Sequence, residues 1–194
     1  MRILVVHAHP VETSFNAALH RAVVDALRRA GHAVDDCDLY AERFDPVLSR
    51  EERIGYHDVP ANRSPVQAHV DRLLAAEGLV FVNPVWNFGF PAILKGYLDR
   101  VFLPGVSFKL VDGRVKPALT NIRALGCVTS YGGTRVRAFL AGDPPRKLVT
   151  RVLRAACGFP PVIYLAHYDM NRSTDASRAA FLARVERAMG TFGR

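Results

Sequence analysis

Three short stretches of this chain collect residue types suited to holding a planar, anionic ligand. The first, His7-Ala8-His9-Pro10-Val11-Glu12-Thr13-Ser14-Phe15-Asn16, sets histidine, hydroxyl and amide groups just ahead of an apolar-periodic segment. Free N–H groups and the dipole at a helix start favour an anion there. No Asp or Glu follows Ser14 in the first turn to compete for that position. The plainer alternative is that Ser14 only caps the helix and His9 is an ordinary loop residue. Because the stretch lacks glycine, it matches neither the G-x-G-x-x-G dinucleotide fingerprint nor a Walker A loop. The second stretch, Asn83-Pro84-Val85-Trp86-Asn87-Phe88-Gly89-Phe90-Pro91, packs three aromatics beside a glycine and between prolines. Such rings can stack on a flat ligand while backbone amides address its edge, or fold back on one another. The third, Thr129-Ser130-Tyr131-Gly132-Gly133-Thr134, carries paired glycines that would let a ligand approach the backbone. A tight turn without any ligand would need the same glycines.

These stretches must be positioned by regular elements, and the hydrophobic pattern supplies them. Residues 2–8 form a continuous aliphatic run, as expected of a strand buried on both faces. Phe15, Ala18, Leu19, Ala22, Val23, Ala26 and Leu27 then recur at helical spacing, with Gly31 after them. A more polar strand over 32–39 suits a sheet edge. Ser49-Arg50-Glu51-Glu52 has the form of a capping box within an otherwise loop-rich 41–64. A helix from Pro65, a strand over 79–83, a helix from Pro91 to Phe102 and a hairpin turning at Asp112-Gly113 come next. Strand 124–129, helix 144–156, strand 162–166 and a final helix through Phe181 and Met189 complete the pattern. Five strands alternating with helices predict an α/β fold, a doubly wound parallel sheet in three layers, and one domain spanning 1–194. In such sheets ligands bind beyond the carboxyl ends of the strands, where all three stretches fall.

Composition narrows the possibilities. At 194 residues, 49% hydrophobic and 23% charged, the chain is ordinary for a globular domain, which argues against disorder. It has no apolar run of membrane-spanning length, and its first residues do not read as a signal peptide, so a cytoplasmic location is expected. Residues 1–100 hold 11 basic and 13 acidic side chains, whereas 101–194 hold 15 and 5. The basic half shows no nucleic-acid-binding motif, and a face favouring phosphate-bearing cofactors is the more economical reading. The three cysteines, Cys37, Cys127 and Cys157, form no C-x-x-C pair and suggest neither a disulfide framework nor zinc; no metal is expected.

Taken together, the motifs resemble the flavodoxin-like NAD(P)H:quinone oxidoreductase family, which includes DT-diaphorase and the bacterial modulator-of-drug-activity and potassium-efflux ancillary proteins. The resemblance rests on His9-x-x-x-x-Ser14-Phe15-Asn16, Asp38-Leu39-Tyr40, Pro84 through Pro91-Ala92-Ile93-Leu94-Lys95-Gly96, Asp99-Arg100-Val101-Phe102 and Gly132-Gly133. It runs along nearly the whole chain and is most specific across 84–102. It implies a bound flavin, FAD slightly ahead of FMN, with NAD(P)H as co-substrate, a quinone-like acceptor, ping-pong turnover and a homodimer. His9, Ser14, Phe15 and Asn16 would lie at the cofactor phosphate, and Pro84, Val85, Trp86, Asn87 and Phe88 along one edge of the isoalloxazine. Thr129, Tyr131, Gly132 and Gly133 would lie at its pyrimidine end. Tyr131 and the two glycines would serve catalysis, the glycine N–H groups stabilising negative charge on the ring. Phe90 and Phe108 would meet the substrate. One departure stands out: residues 134–142 offer neither the tyrosine nor the histidine that mammalian relatives carry after the glycine pair. An azo- or nitroreductase, or a flavin-bearing regulatory subunit of a potassium-efflux transporter, would share these features. A flavodoxin-type electron carrier fits less well, because its acidic docking face is missing.

Overall fold

A computed structural model describes all residues, 1–194. Five parallel strands form its central sheet: β1 (Arg2–His7), β2 (Ala33–Asp38), β3 (Gly78–Val85), β6 (Ala124–Tyr131) and β7 (Val162–His167), in the order β2-β1-β3-β6-β7. This is the flavodoxin-like strand order, with its switch point between β1 and β3. The polar β2 does occupy an edge. Buried β3 and β6 are the continuous apolar runs that a doubly covered parallel sheet requires.

Helices α1 (Phe15–Arg29) and α8 (Asp175–Met189) cover one face, packing Leu19, Val23, Leu27, Phe181 and Val185 on Ile3, Val5, Val80 and Val128. The other face carries α3 (Gln67–Ala75), α4 (Ala92–Val101) and a helical run over 144–156, around Leu4, Val6, Leu79, Phe81 and Leu125. Ser49 and Glu52 close the expected capping box at α2 (Arg50–Ile54). The hairpin forms as β4 (Phe108–Val111) and β5 (Arg114–Pro117), with positive φ at Asp112 and Gly113 as a primed turn demands.

Several motif residues serve the scaffold. Arg100 is buried and its guanidinium meets Glu52 Oε1 at 2.7 Å, tying α4 to α2. A Cβ on Gly96 would collide with the backbone of Pro46, so glycine alone lets that segment cross α4. Asp38 accepts from the Tyr40 and Ala41 amides (3.0 and 3.1 Å), closing the turn after β2.

Some boundaries differ from the sequence reading. Strands β3 and β6 run two residues further, through Val85 and Tyr131. Pro84 is tolerated because β1 stops pairing at Val82, so the side that lacks an N–H has no partner strand, while Ser130 pairs on the other. Pro91 caps α4 rather than entering its first turn. The helix expected over 144–156 is α6 (Pro144–Lys147), a π-helical turn (Leu148–Leu153) and α7 (Arg154–Ala156). A short α5 (Arg135–Leu140), capped by Thr134, stands where no element was anticipated.

Candidate functional site

The carboxyl ends of β1, β3, β6 and β7 bring the three stretches to one edge of the sheet. In the first, Ser14 caps α1: its Oγ accepts from the Ala17 amide at 3.1 Å and lies 3.0 Å from His9 Nδ1. The Val11 amide also donates to that nitrogen at 3.1 Å. Accepting from a backbone N–H requires an unprotonated Nδ1, so the ring proton sits on Nε2, where it is available to a ligand. Burial pushes the His9 pKa below its ordinary value, in keeping with a neutral ring. The amides of Phe15 and Asn16 have no backbone acceptor, the usual vacancy of a helix start. Capping and a free anion position thus coexist here, and the two readings of this loop are compatible.

The second stretch folds into a two-residue turn closed by reciprocal bonds between Trp86 and Gly89 (3.1 and 2.8 Å). Asn87 and Phe88 both take positive φ, 49° and 56°, which a phenylalanine rarely accepts. The turn holds Trp86 and Phe88 outward, 42% and 40% exposed, whereas Phe90 turns back against the core. The Trp86 ring stands 5.8 Å from that of His9, joining the first loop to the second.

In the third stretch, Gly132 and Gly133 follow β6. Neither has a positive φ, and neither amide donates to another backbone group. A Cβ on either would meet nothing closer than 3.8 Å. The chain's own conformation and packing therefore do not require glycine at these positions, and the tight-turn alternative loses its support. The Gly133 carbonyl accepts from the Asp169 amide at 2.8 Å, so the turn after β7 braces the pair.

Tyr131 departs from expectation. Its side chain is 2% exposed, and its hydroxyl lies 2.7 Å from both Asp143 and Tyr164. That hydroxyl is already engaged within the fold, bracing β6 against Asp143 and Tyr164, and burial drives its pKa up. Phe108 also stands apart. It lines an apolar cavity of about 630 Å³ between α4, the hairpin and the 148–156 run, which contains no residue of the three loops.

Of the nine buried side-chain polar atoms without a partner, four are both side-chain atoms of Asn16, Thr129 Oγ1 and His167 Nδ1 at this sheet edge; the others include His32 Nε2 and Tyr97 Oη, outside the three loops. Orphan groups of this kind are rare in a folded interior, and at this edge a bound ligand or an ordered water would satisfy them. Asn16 and Thr129 were expected site residues. His167, at the end of β7, packs edge-on against Phe15 at 5.4 Å. Burial and the charge of Arg178 depress its pKa, which favours a neutral imidazole.

A family model described as flavodoxin-like fold matches residues 1–189. An uncharacterized NAD(P)H oxidoreductase of Haemophilus influenzae is 36% identical over 186 residues, covering 94% of this chain and 91% of the relative. This chain belongs to the flavodoxin-like NAD(P)H:quinone oxidoreductase family. The solved structure of an NAD(P)H:quinone oxidoreductase from Methanothermobacter marburgensis superposes with a TM-score of 0.85 at 26% identity, covering 98% of each chain. An FMN-dependent NADH:quinone oxidoreductase of Bacillus velezensis is 29% identical over 133 residues, 61% of this chain and 63% of that relative. The chain spans about half the length (54%) of the NAD(P)H dehydrogenase [quinone] 1 of Cavia porcellus and of Rattus norvegicus, which it matches at 34% identity. No helix is long and apolar enough to cross a membrane.

Proposed function

We propose that the protein is a flavin-dependent NAD(P)H oxidoreductase whose acceptor is a quinone-like molecule. The observation that carries this reading is the Gly132-Gly133 pair: two glycines that the chain itself does not need, with unpaired amides, at the same sheet edge as the orphaned Thr129 and Asn16. A planar ring lying against β6 would account for both features. The cofactor would supply the two-electron chemistry, drawing a hydride from NAD(P)H and passing the electrons on, with donor and acceptor using one site in turn.

The chain's own residues would bind and orient. His9 Nε2–H and the Phe15 and Asn16 amides would hold the cofactor phosphate, aided by the dipole of α1. Pro84, Val85, Trp86, Asn87 and Phe88 would flank the ring, and Phe90 would border the substrate side. The Gly132 and Gly133 amides would donate to the ring edge where negative charge collects. Thr129 Oγ1, buried and unpaired, suits a ring carbonyl or nitrogen. Ser14-Phe15-Asn16 and Asp38-Leu39-Tyr40 lean towards FAD, whereas the Bacillus relative speaks for FMN. Exposed Val115, Val152 and Phe159 around the apolar cavity at Phe108 support a homodimer, in which that residue could reach the partner's site.

The test is a visible spectrum of the purified protein with FMN or FAD added. Flavin bands bleached by NAD(P)H and restored by menadione are expected, with chromatography of the released cofactor naming which flavin is held. No binding of either flavin would overturn the proposal.

A further inference from the structure

Beyond the glycine pair the chain builds a cationic recess that the proposed reaction leaves unused. A cavity of about 320 Å³ is lined by Arg135, Arg146, Lys147, Thr150 and Arg151, with Tyr168 at one side. Its one acidic lining residue, Asp143, is already engaged: it accepts from the Tyr131 hydroxyl at 2.7 Å and pairs with Arg146 at 3.2 Å. The Arg146 guanidinium in turn lies over the Tyr164 ring, 4.5 Å from its centroid. Arg135, Lys147 and Arg151 form no ion pair at all, so three positive charges face this recess uncompensated.

Two further features single the recess out from a solvated basic surface. The π-helical turn over Leu148–Leu153 widens the helix just where Thr150 and Arg151 line the cavity with Arg146 and Lys147. Such turns are rare and recur at functional sites. Secondly, Gly142, Lys147 and Arg151 also line a neighbouring cavity of about 710 Å³, which Gly89 and Phe90 of the second loop line as well. One groove therefore leads from the loop expected to flank the cofactor to the cluster of cations.

We propose that this recess binds the 2′-phosphate of NADPH and makes the phosphorylated dinucleotide the preferred electron donor. The inference rests on the proposed oxidoreductase reading and specifies its donor. A phosphate monoester carries close to two negative charges at neutral pH, and Arg and Lys side chains answer it with charge-assisted hydrogen bonds. Arg135, Lys147 and Arg151 would contact the phosphate, with Arg146 held behind them by Asp143 and Tyr164. NADH, lacking that group, would leave the three charges unanswered.

The experiment compares kcat/KM for NADPH and NADH, with menadione as acceptor, in the wild-type holoenzyme and in the variant K147Q/R151Q. A second variant, R184Q/R187Q on the far helix α8, removes the same net charge elsewhere. The wild type should favour NADPH. K147Q/R151Q should lower the NADPH-to-NADH ratio of kcat/KM at least tenfold, mainly through KM for NADPH, and R184Q/R187Q should leave the ratio as it was. If both dinucleotides are oxidised but the ratio is unchanged in K147Q/R151Q, or falls equally in R184Q/R187Q, this inference fails while the oxidoreductase reading stands. A rise in KM for the acceptor alone would likewise overturn it, assigning the recess to the other substrate. If neither dinucleotide is oxidised by flavin-loaded protein, both readings fall together.

Discussion

The turn at Asn87-Phe88 yields a prediction about backbone strain that can be separated from the contacts of the aromatic ring. Phe88 sits at φ 56°, in the left-handed region, where a residue with a Cβ costs about 1–2 kcal/mol. Comparing Phe88→Ala with Phe88→Gly isolates this term, because both remove the ring and only glycine adopts the geometry freely. Against it stands the greater entropy of glycine in the unfolded chain, about 0.4–1 kcal/mol. The remainder favours Phe88→Gly over Phe88→Ala by about 0.5–1 kcal/mol. For a chain of this size that is roughly 2 °C in Tm. Thermal unfolding of the two apoproteins, with urea titrations to check that m is unchanged, provides the assay. Equal Tm values, or a more stable alanine variant, would refute the strained turn. Both variants should also retain less flavin than the wild type and to a similar degree, since both lack the exposed ring.

Other perturbations follow from the packing and the charges. Gly96→Ala should destabilise the fold by about 2 kcal/mol, an overpacking cost in the usual 1–3 kcal/mol range, because the new Cβ meets the Pro46 backbone; an unchanged urea midpoint would contradict that crossing. Tyr131→Phe should cost about 1–2 kcal/mol by leaving Asp143 and Tyr164 short of a partner, while flavin reduction by NAD(P)H persists; loss of turnover at full flavin occupancy would restore a catalytic hydroxyl. Burial depresses the pKa values of His7, His69 and His167 below the ordinary 6.5, reinforced at His7 by the neighbouring His20. Below pH 6.5 the unfolded chain takes up protons that the folded one resists, so stability should be full above that pH and decline as pH falls. A Tm that stays flat or rises from pH 7.5 to 5.5 would contradict this.

Most of the scaffold was legible because aliphatic runs and helical periodicity carry it directly: β1, β3, β6, α1 and the Asp112-Gly113 hairpin stand where the pattern predicts. Hidden from the pattern were features set by neighbours distant in sequence. Pro84 looks like a strand breaker until β1 is seen to end beside Val82, and Gly96 looks like a weak helix residue until Pro46 is seen to cross it. The π turn leaves no mark in local propensity, because Leu148, Val149 and Leu153 fit an ordinary helix equally well. Of the candidate site, the loop residues His9, Ser14, Trp86 and the glycine pair, with Asn16 at the start of α1 and Thr129 near the end of β6, could be named from residue type and place in the pattern. Tyr131, a polar aromatic at a strand end, looks ligand-facing in the sequence, and only the Asp143 and Tyr164 partners reveal where its hydroxyl is held. That His167 Nδ1 lacks a partner is a property of packing, not of spacing.

The central claim is that Gly132 and Gly133 are glycines for the sake of a bound ring and not for the chain. Gly133→Ala tests it most directly, by flavin titration followed through fluorescence quenching alongside Tm of the apoprotein. With no positive φ and no neighbour closer to the new Cβ than Arg137 Cβ at 3.8 Å, the apoprotein should be as stable as the wild type, or more stable by about 0.4–1 kcal/mol. Flavin affinity should nevertheless fall at least tenfold. Undiminished affinity in a stably folded Gly133→Ala protein would contradict the account.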